Sequence, residues 1–68
     1  MTDVESLKRL MKENGKSQTE LSAELGISDQ RLANKLNNRE EFRASEIQKL
    51  IRIFNMNAKQ TDHIFFDE

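Results

Sequence analysis

Between Ser17 and Arg39 the chain reads SQTELSAELGISDQRLANKLNNR, and the glycine in the middle of this stretch limits the fold more than any other residue. Ser17 stands three residues ahead of Glu20 at the head of an apolar run, so its hydroxyl can accept from a free backbone amide while Glu20 reaches back to the Ser17 amide. A helix starts there. Leu21 and Leu25 follow four apart on one face, and Gly26 comes where the helix must stop at a positive φ that a residue lacking Cβ adopts at little cost. Ile27 is the first residue past the hinge, and Ser28 restarts a helix whose Leu32 and Leu36 are again four apart. Two short helices joined by a three- to four-residue turn with glycine make a helix-turn-helix unit over about 17–38, and in such a unit the second helix is the one offered to a DNA major groove.

At 68 residues the chain is expected to form one domain over 1–68, near the smallest size at which a core suffices without help. It has no cysteine to cross-link, and a single His63 cannot make the usual four-ligand zinc site, so no metal or cofactor is expected. The absence of proline and the abundance of Leu, Ile, Lys, Glu, Gln and Ala predict an all-α fold, because these residues lose little freedom in a helix. No apolar run reaches membrane-spanning length, and no signal peptide stands at the N-terminus, so a soluble, cytoplasmic protein is expected.

The net charge of −1 gives no direct sign of a nucleic-acid binder. Its distribution is more informative. Gln30 to Arg52 carries six basic residues (Arg31, Lys35, Arg39, Arg43, Lys49, Arg52) against three acidic ones (Glu40, Glu41, Glu46), a local balance of +3, while the flanks on either side carry −2 each. A cationic face with an acidic back can still attract phosphate.

The rest of the chain completes five short helices. Val4, Leu7, Leu10 and Met11 predict an amphipathic first helix over Asp3 to Asn14, capped by Thr2 or Asp3 and ended by Gly15. Asn37-Asn38 marks a turn, since asparagine tolerates the left-handed conformation. Phe42, alone among charges, is expected to plug back into the core. Ile47, Leu50, Ile51 and Phe54 predict a fourth helix from Ala44, and Asn57 begins a last one through about Phe65. Leu21, Leu25, Leu32, Leu36, Ile47, Leu50 and Phe54 are expected in the core. Ile64-Phe65-Phe66 either packs under helices one and four or lies on a two-fold axis against its own copy.

Taken together, these residues resemble the XRE-type helix-turn-helix domains of phage repressors and Cro-like regulators. The pattern that carries the resemblance is Ser17-Gln18, Glu20-Leu21, Leu25-Gly26-Ile27-Ser28, Leu32 and Lys35-Leu36-Asn37-Asn38, followed by Phe42, Glu46-Ile47-x-Lys49-Leu50 and Ile64-Phe65-Phe66. Asn38 departs from it where many relatives have glycine. The resemblance implies a five-helix, lambda-repressor-like domain that binds double-stranded operator DNA as a symmetric homodimer in the nucleoid of a bacterial host. It also implies that Gln18 meets a phosphate, that Asp29, Gln30 and Asn34 take base-facing positions with Arg31 beside them, and that Asn37 and Arg39 hold the sugar-phosphate backbone.

The chemistry of these side chains can be weighed separately. Gln30 and Asn34, four apart, share a helix face, and both amides can make the paired donor and acceptor contact that adenine offers. Arg31 can pair with guanine or meet a phosphate without reading sequence. Asp29 suits the positive end of its own helix, and its carboxylate can also accept from cytosine. Gln18 can donate to a phosphate alongside the free amides of a helix start. Lys35, Arg39 and Arg43 line the exit of the recognition helix and are expected to contact phosphates. His63 beside Asp62 has no second catalytic group nearby and is expected on the surface. With one histidine, no cysteine, tyrosine or tryptophan and no glycine-rich phosphate loop, an enzyme is not expected. The competing reading is a protein-binding module on the same fold, such as an antirepressor or antitoxin, to which the acidic total charge and the missing second domain lend support.

Overall fold

Helices this short hold only if their ends are closed, and this chain closes them with a small set of repeated devices. The computed structural model describes residues 1–66; residues 67 and 68 of the expected 1–68 domain lie outside them. Among the described residues the elements are all helical: α1 (Val4–Glu13), α2 (Gln18–Leu25), α3 (Asp29–Leu36), α4 (Ala44–Phe54) and α5 (Ala58–Thr61), the last running into a π-helical turn, Asp62–Phe66. Asp3, Ser17, Ser28 and Asn57 precede α1, α2, α3 and α5, and the side chain of each accepts from an amide three residues on. Ser17 and Glu20 form the expected reciprocal pair, with the Ser17 amide 3.0 Å from the Glu20 carboxylate. At the start of α4 the Arg43 amide donates to Glu46 Oε1 at 2.8 Å.

The helix exits are equally regular. Gly15, Gly26, Asn38 and Asn55, with φ of 63°, 73°, 57° and 50°, follow α1, α2, α3 and α4. After each, the next amide bonds back to a carbonyl in the preceding helix: Lys16 to Met11, Ile27 to Ser22, Arg39 to Asn34 and Met56 to Ile51, at 2.8–3.0 Å. This is the left-handed closure that satisfies the orphan carbonyls of a helix end. The turns at Gly15, Gly26 and Asn37-Asn38 lie where the sequence predicts them. The one at Asn55 is an addition.

The apolar stripes meet in one core: Leu7 and Met11 of α1, Leu21 and Leu25 of α2, Leu32 and Leu36 of α3, and Leu50 and Phe54 of α4, all buried. Ile47, expected there too, is only half-buried. Phe42 returns from its charged loop into the core as expected and packs edge-on against Phe65, ring centroids 5.7 Å apart at 77°. Ile64 and Phe65 are buried, whereas Phe66 is 62% exposed, so the terminal cluster divides between core and surface. The expected fifth helix begins at Asn57 but keeps α-helical winding only to Thr61 before the wider turn carries Ile64 and Phe65 inward. The amino-terminal residues bind across this turn and α3: the Asp3 amide donates to the Ile64 carbonyl at 2.7 Å, and Asn38 Nδ2 to the Thr2 carbonyl at 3.2 Å. The radius of gyration, 10.8 Å, is about that of one compact unit of this length.

A Cβ on Gly26 would have only Lys49 Nζ near it, at 3.9 Å, so space is not what selects glycine there. The left-handed backbone is. Gly26→Val is therefore expected to destabilise the protein by about 1–2 kcal/mol, lowering the thermal midpoint about 4–8 °C for each kcal/mol, while Gly26→Asn costs less because asparagine tolerates this conformation. Thermal unfolding followed by circular dichroism checks both, and an unchanged midpoint for the valine variant would contradict the assignment of strain to φ.

Candidate nucleic-acid interface

α2 and α3 are separated by Gly26, Ile27 and Ser28, and three contacts hold the angle between them. The Ser28 hydroxyl accepts from the Arg31 amide at 3.1 Å, closing the first turn of α3. The buried Ser22 hydroxyl of α2 hydrogen-bonds to the Asp29 carboxylate of α3. From α4, Lys49 Nζ donates to the Leu25 carbonyl at 3.3 Å, binding the end of α2. Asp29 is thereby placed in the hinge, at the positive end of α3, with one carboxylate oxygen turned back toward α2, which fits the structural role considered for it, while the residue as a whole stays exposed.

With Leu32 and Leu36 turned inward, α3 presents Gln30 and Arg31 to solvent and Asn34 half-buried beside them. Gln30 Nε2 donates to Asn34 Oδ1 at 3.2 Å, so the two amides share a face as their spacing predicts. The bond leaves Gln30 with its second N–H and its Oε1 for a ligand, and Asn34 with its Nδ2 donors. A donor and an acceptor are thus held side by side on an exposed helix. Gln18, the first residue of α2, is exposed, as are Asn37, Arg39 and Arg43 after α3.

Lys35 is the clearest departure from expectation. It is only 1% exposed, and its ammonium lies inside the protein, 2.9 Å from Glu46 Oε1 of α4, 3.1 Å from the Glu41 carbonyl and 5.7 Å from the centre of the Phe42 ring. A phosphate cannot reach an ammonium so enclosed, so the predicted phosphate contact is corrected to a buried tie between α3 and α4. The signal was present in the spacing: Lys35 follows Leu32 by three and precedes Leu36 by one, which places it on the apolar stripe. Glu46 also was not singled out as a functional neighbour. Burial pushes its carboxyl up, but the Arg43 amide and the Lys35 ammonium outweigh this and hold it below its ordinary value.

Arg31 is half-exposed, with its guanidinium 3.5 Å from Glu40 Oε2, and Lys35 Nζ is 3.9 Å from the same oxygen. Glu40 therefore stands against the cations of α3 from the loop that follows it. His63 is on the surface as expected, its side chain 61% exposed and 3.1 Å from Asp3 Oδ2. The carboxyl of Asp3 is held low, chiefly by the hydroxyl and amide of Ser6. No described helix is long and apolar enough to cross a membrane.

Two outcomes test the buried tie. Lys35→Met leaves Glu46 buried without its cation and is expected to cost about 3–5 kcal/mol; adding Glu46→Gln, whose amide oxygen can still accept from the Arg43 amide, recovers most of it. Chemical denaturation of both variants measures this, and no recovery in the double variant would contradict it. Because the folded protein holds the Glu46 carboxyl below the ordinary 4.5, its stabilising contribution is complete above that pH and is lost as the pH falls through the lower folded value. The melting temperature is thus expected to fall with pH below about 4.5 in the native protein and to fall less steeply in Glu46→Gln.

No curated protein and no solved structure matches the chain. A family described as proteins of unknown function, DUF739, matches residues 2–68. On this match over nearly its whole length, the chain belongs to the DUF739 family.

Proposed function

We propose that this protein is a sequence-specific DNA-binding regulator of the XRE type, a phage or prophage Cro-like repressor that occupies an operator and excludes polymerase or a rival repressor. The observation that carries this reading is the Gln30–Asn34 amide pair, held on the outward face of a helix that follows a closed glycine hinge. Laid in a major groove, α3 would bring the Oε1 and remaining N–H of Gln30 to an adenine edge, which offers one donor and one acceptor in that geometry. Arg31 lies next to the pair, and Gln18, Asn37, Arg39 and Arg43 are exposed where the flanking phosphates would run. Two copies on a palindrome would place their recognition helices about 34 Å apart.

The alternative, a protein-binding module such as an antirepressor or antitoxin, is favoured by one feature. Phe66 is 62% exposed beside an apolar groove that includes Ala44, Ile47 and Ile51. A mobility-shift assay with DNA flanking the protein's own gene, at two salt concentrations, separates the readings. DNA binding that weakens with salt supports the repressor; a lack of binding at low salt, together with capture of a protein partner, supports the alternative.

Gln30→Ala is expected to weaken binding to the cognate operator by about 1–3 kcal/mol and to random DNA much less, since only the base contact is removed. Arg39→Ala is expected to weaken both alike and to reduce the salt slope by about one unit. Affinities for operators altered at single positions provide the check: in Gln30→Ala the preference should flatten at one symmetric pair of base pairs. An equal loss on every sequence would remove Gln30 as a base reader.

A further inference from the structure

The loop after α3 brings a carboxylate back against the cations of that helix. Asn38 in its left-handed conformation turns the chain back, the Arg39 amide closes on the Asn34 carbonyl at 2.8 Å, and Glu40 is directed along the side of the helix it has just left. Its Oε2 lies 3.5 Å from the Arg31 guanidinium and 3.9 Å from the Lys35 ammonium. The Lys35 charge is already answered by Glu46, so Arg31 is the cation left for Glu40 to pair with. The side chains of Arg31 and Glu40 are 50% and 35% exposed, which leaves their pair open to solvent and weak enough to be displaced.

We infer that Glu40 is an internal stand-in for phosphate: it occupies Arg31, whose guanidinium would otherwise meet the DNA backbone, and so sets the threshold of affinity that a DNA sequence must pass to hold the protein. This rests on the DNA-binding reading above and deepens it. Contacts to phosphate are blind to sequence and supply most of the affinity for random DNA. A carboxylate that competes for one such contact weakens binding to every sequence. The loss is the same factor on random DNA and on the operator, but on the operator the base contacts of Gln30 and Asn34 leave enough affinity for the protein to stay bound. Glu40 therefore narrows the range of sequences at which the protein stays bound at a given concentration.

The test measures affinity for the operator and for random duplex DNA across a salt series, using five variants of the protein, each checked for folding by thermal melting. Glu40→Gln is expected to bind random DNA and the operator alike about three- to tenfold more tightly at low salt, with a salt slope steeper by about one unit, so that the ratio of the two affinities is unchanged while more sequences hold the protein at a given concentration. Glu40→Asp keeps the net charge but withdraws the carboxylate from Arg31 by one methylene, and is expected to show part of the same gain. In Arg31→Gln/Glu40→Gln the gain over Arg31→Gln alone disappears, because the cation that Glu40 restrained is gone. An equal gain in Glu41→Gln, which changes the charge identically from the neighbouring position, or a gain that persists without Arg31, would mean that Glu40 acts only through the overall field and would overturn the inference. If neither the native protein nor Glu40→Gln binds any DNA at low salt, the DNA-binding reading fails and the inference with it. DNA binding by the native protein with no change in Glu40→Gln refutes the inference alone.

Discussion

Isolated helices of eight to eleven residues are unstable in water, because the loss of backbone freedom in the first turn is not recovered over so few hydrogen bonds. Everything in this protein depends on how that constraint is met. Polar side chains at the starts and left-handed residues at the ends take up backbone groups that would otherwise stay unpaired, and these closures set the direction in which the chain leaves each helix. The apolar stripes then face one another because the turns leave little other choice. The core follows from the exits as much as from the leucines.

Those exits are also why so much of the fold can be read from residues alone. Ser17 with Glu20, Gly26, Ser28 and the Asn37-Asn38 turn are local signals, complete within a few positions, and the structure has each of them in place. What escaped depends on distance along the chain. Lys35 and Glu46 meet across eleven positions, and although Lys35 shares the apolar stripe of Leu32 and Leu36, a lysine reads as a surface group until the partner that draws it inside is known. Asn55 closes α4 without a glycine to mark it, and the widening of the last helix after Thr61 leaves no periodic trace. The candidate site divides the same way. The Gln30–Asn34 pair is fixed by helical spacing, whereas the roles of Asp29 and Glu40 depend on how one element faces another.

A buried ion pair is not the strongest way to join two helices, since apolar residues of similar volume often do as well or better. What Lys35 and Glu46 add is selectivity of arrangement. The ammonium must find the Glu46 carboxylate, the Glu41 carbonyl and the face of Phe42 together, and Glu46 must also hold the Arg43 amide. A slip of α3 along α4 by one turn would strand charge in the interior. Leucine alone would tolerate such a slip, and the exposed side of α3 would turn with it.

The bonds made by Thr2 and Asp3 give the two ends of the chain an unusual degree of common fate. Thr2 receives a hydrogen bond from the residue that turns the chain out of α3, and Asp3 caps α1 while its amide fastens the turn that carries Phe65 into the core. Strain applied at the amino terminus, by a fused partner or a cut after the first few residues, would travel straight to the exit of α3 and to the aromatic contact behind it. The residues ahead of α1 are, mechanically, among the supports of the helix-turn-helix.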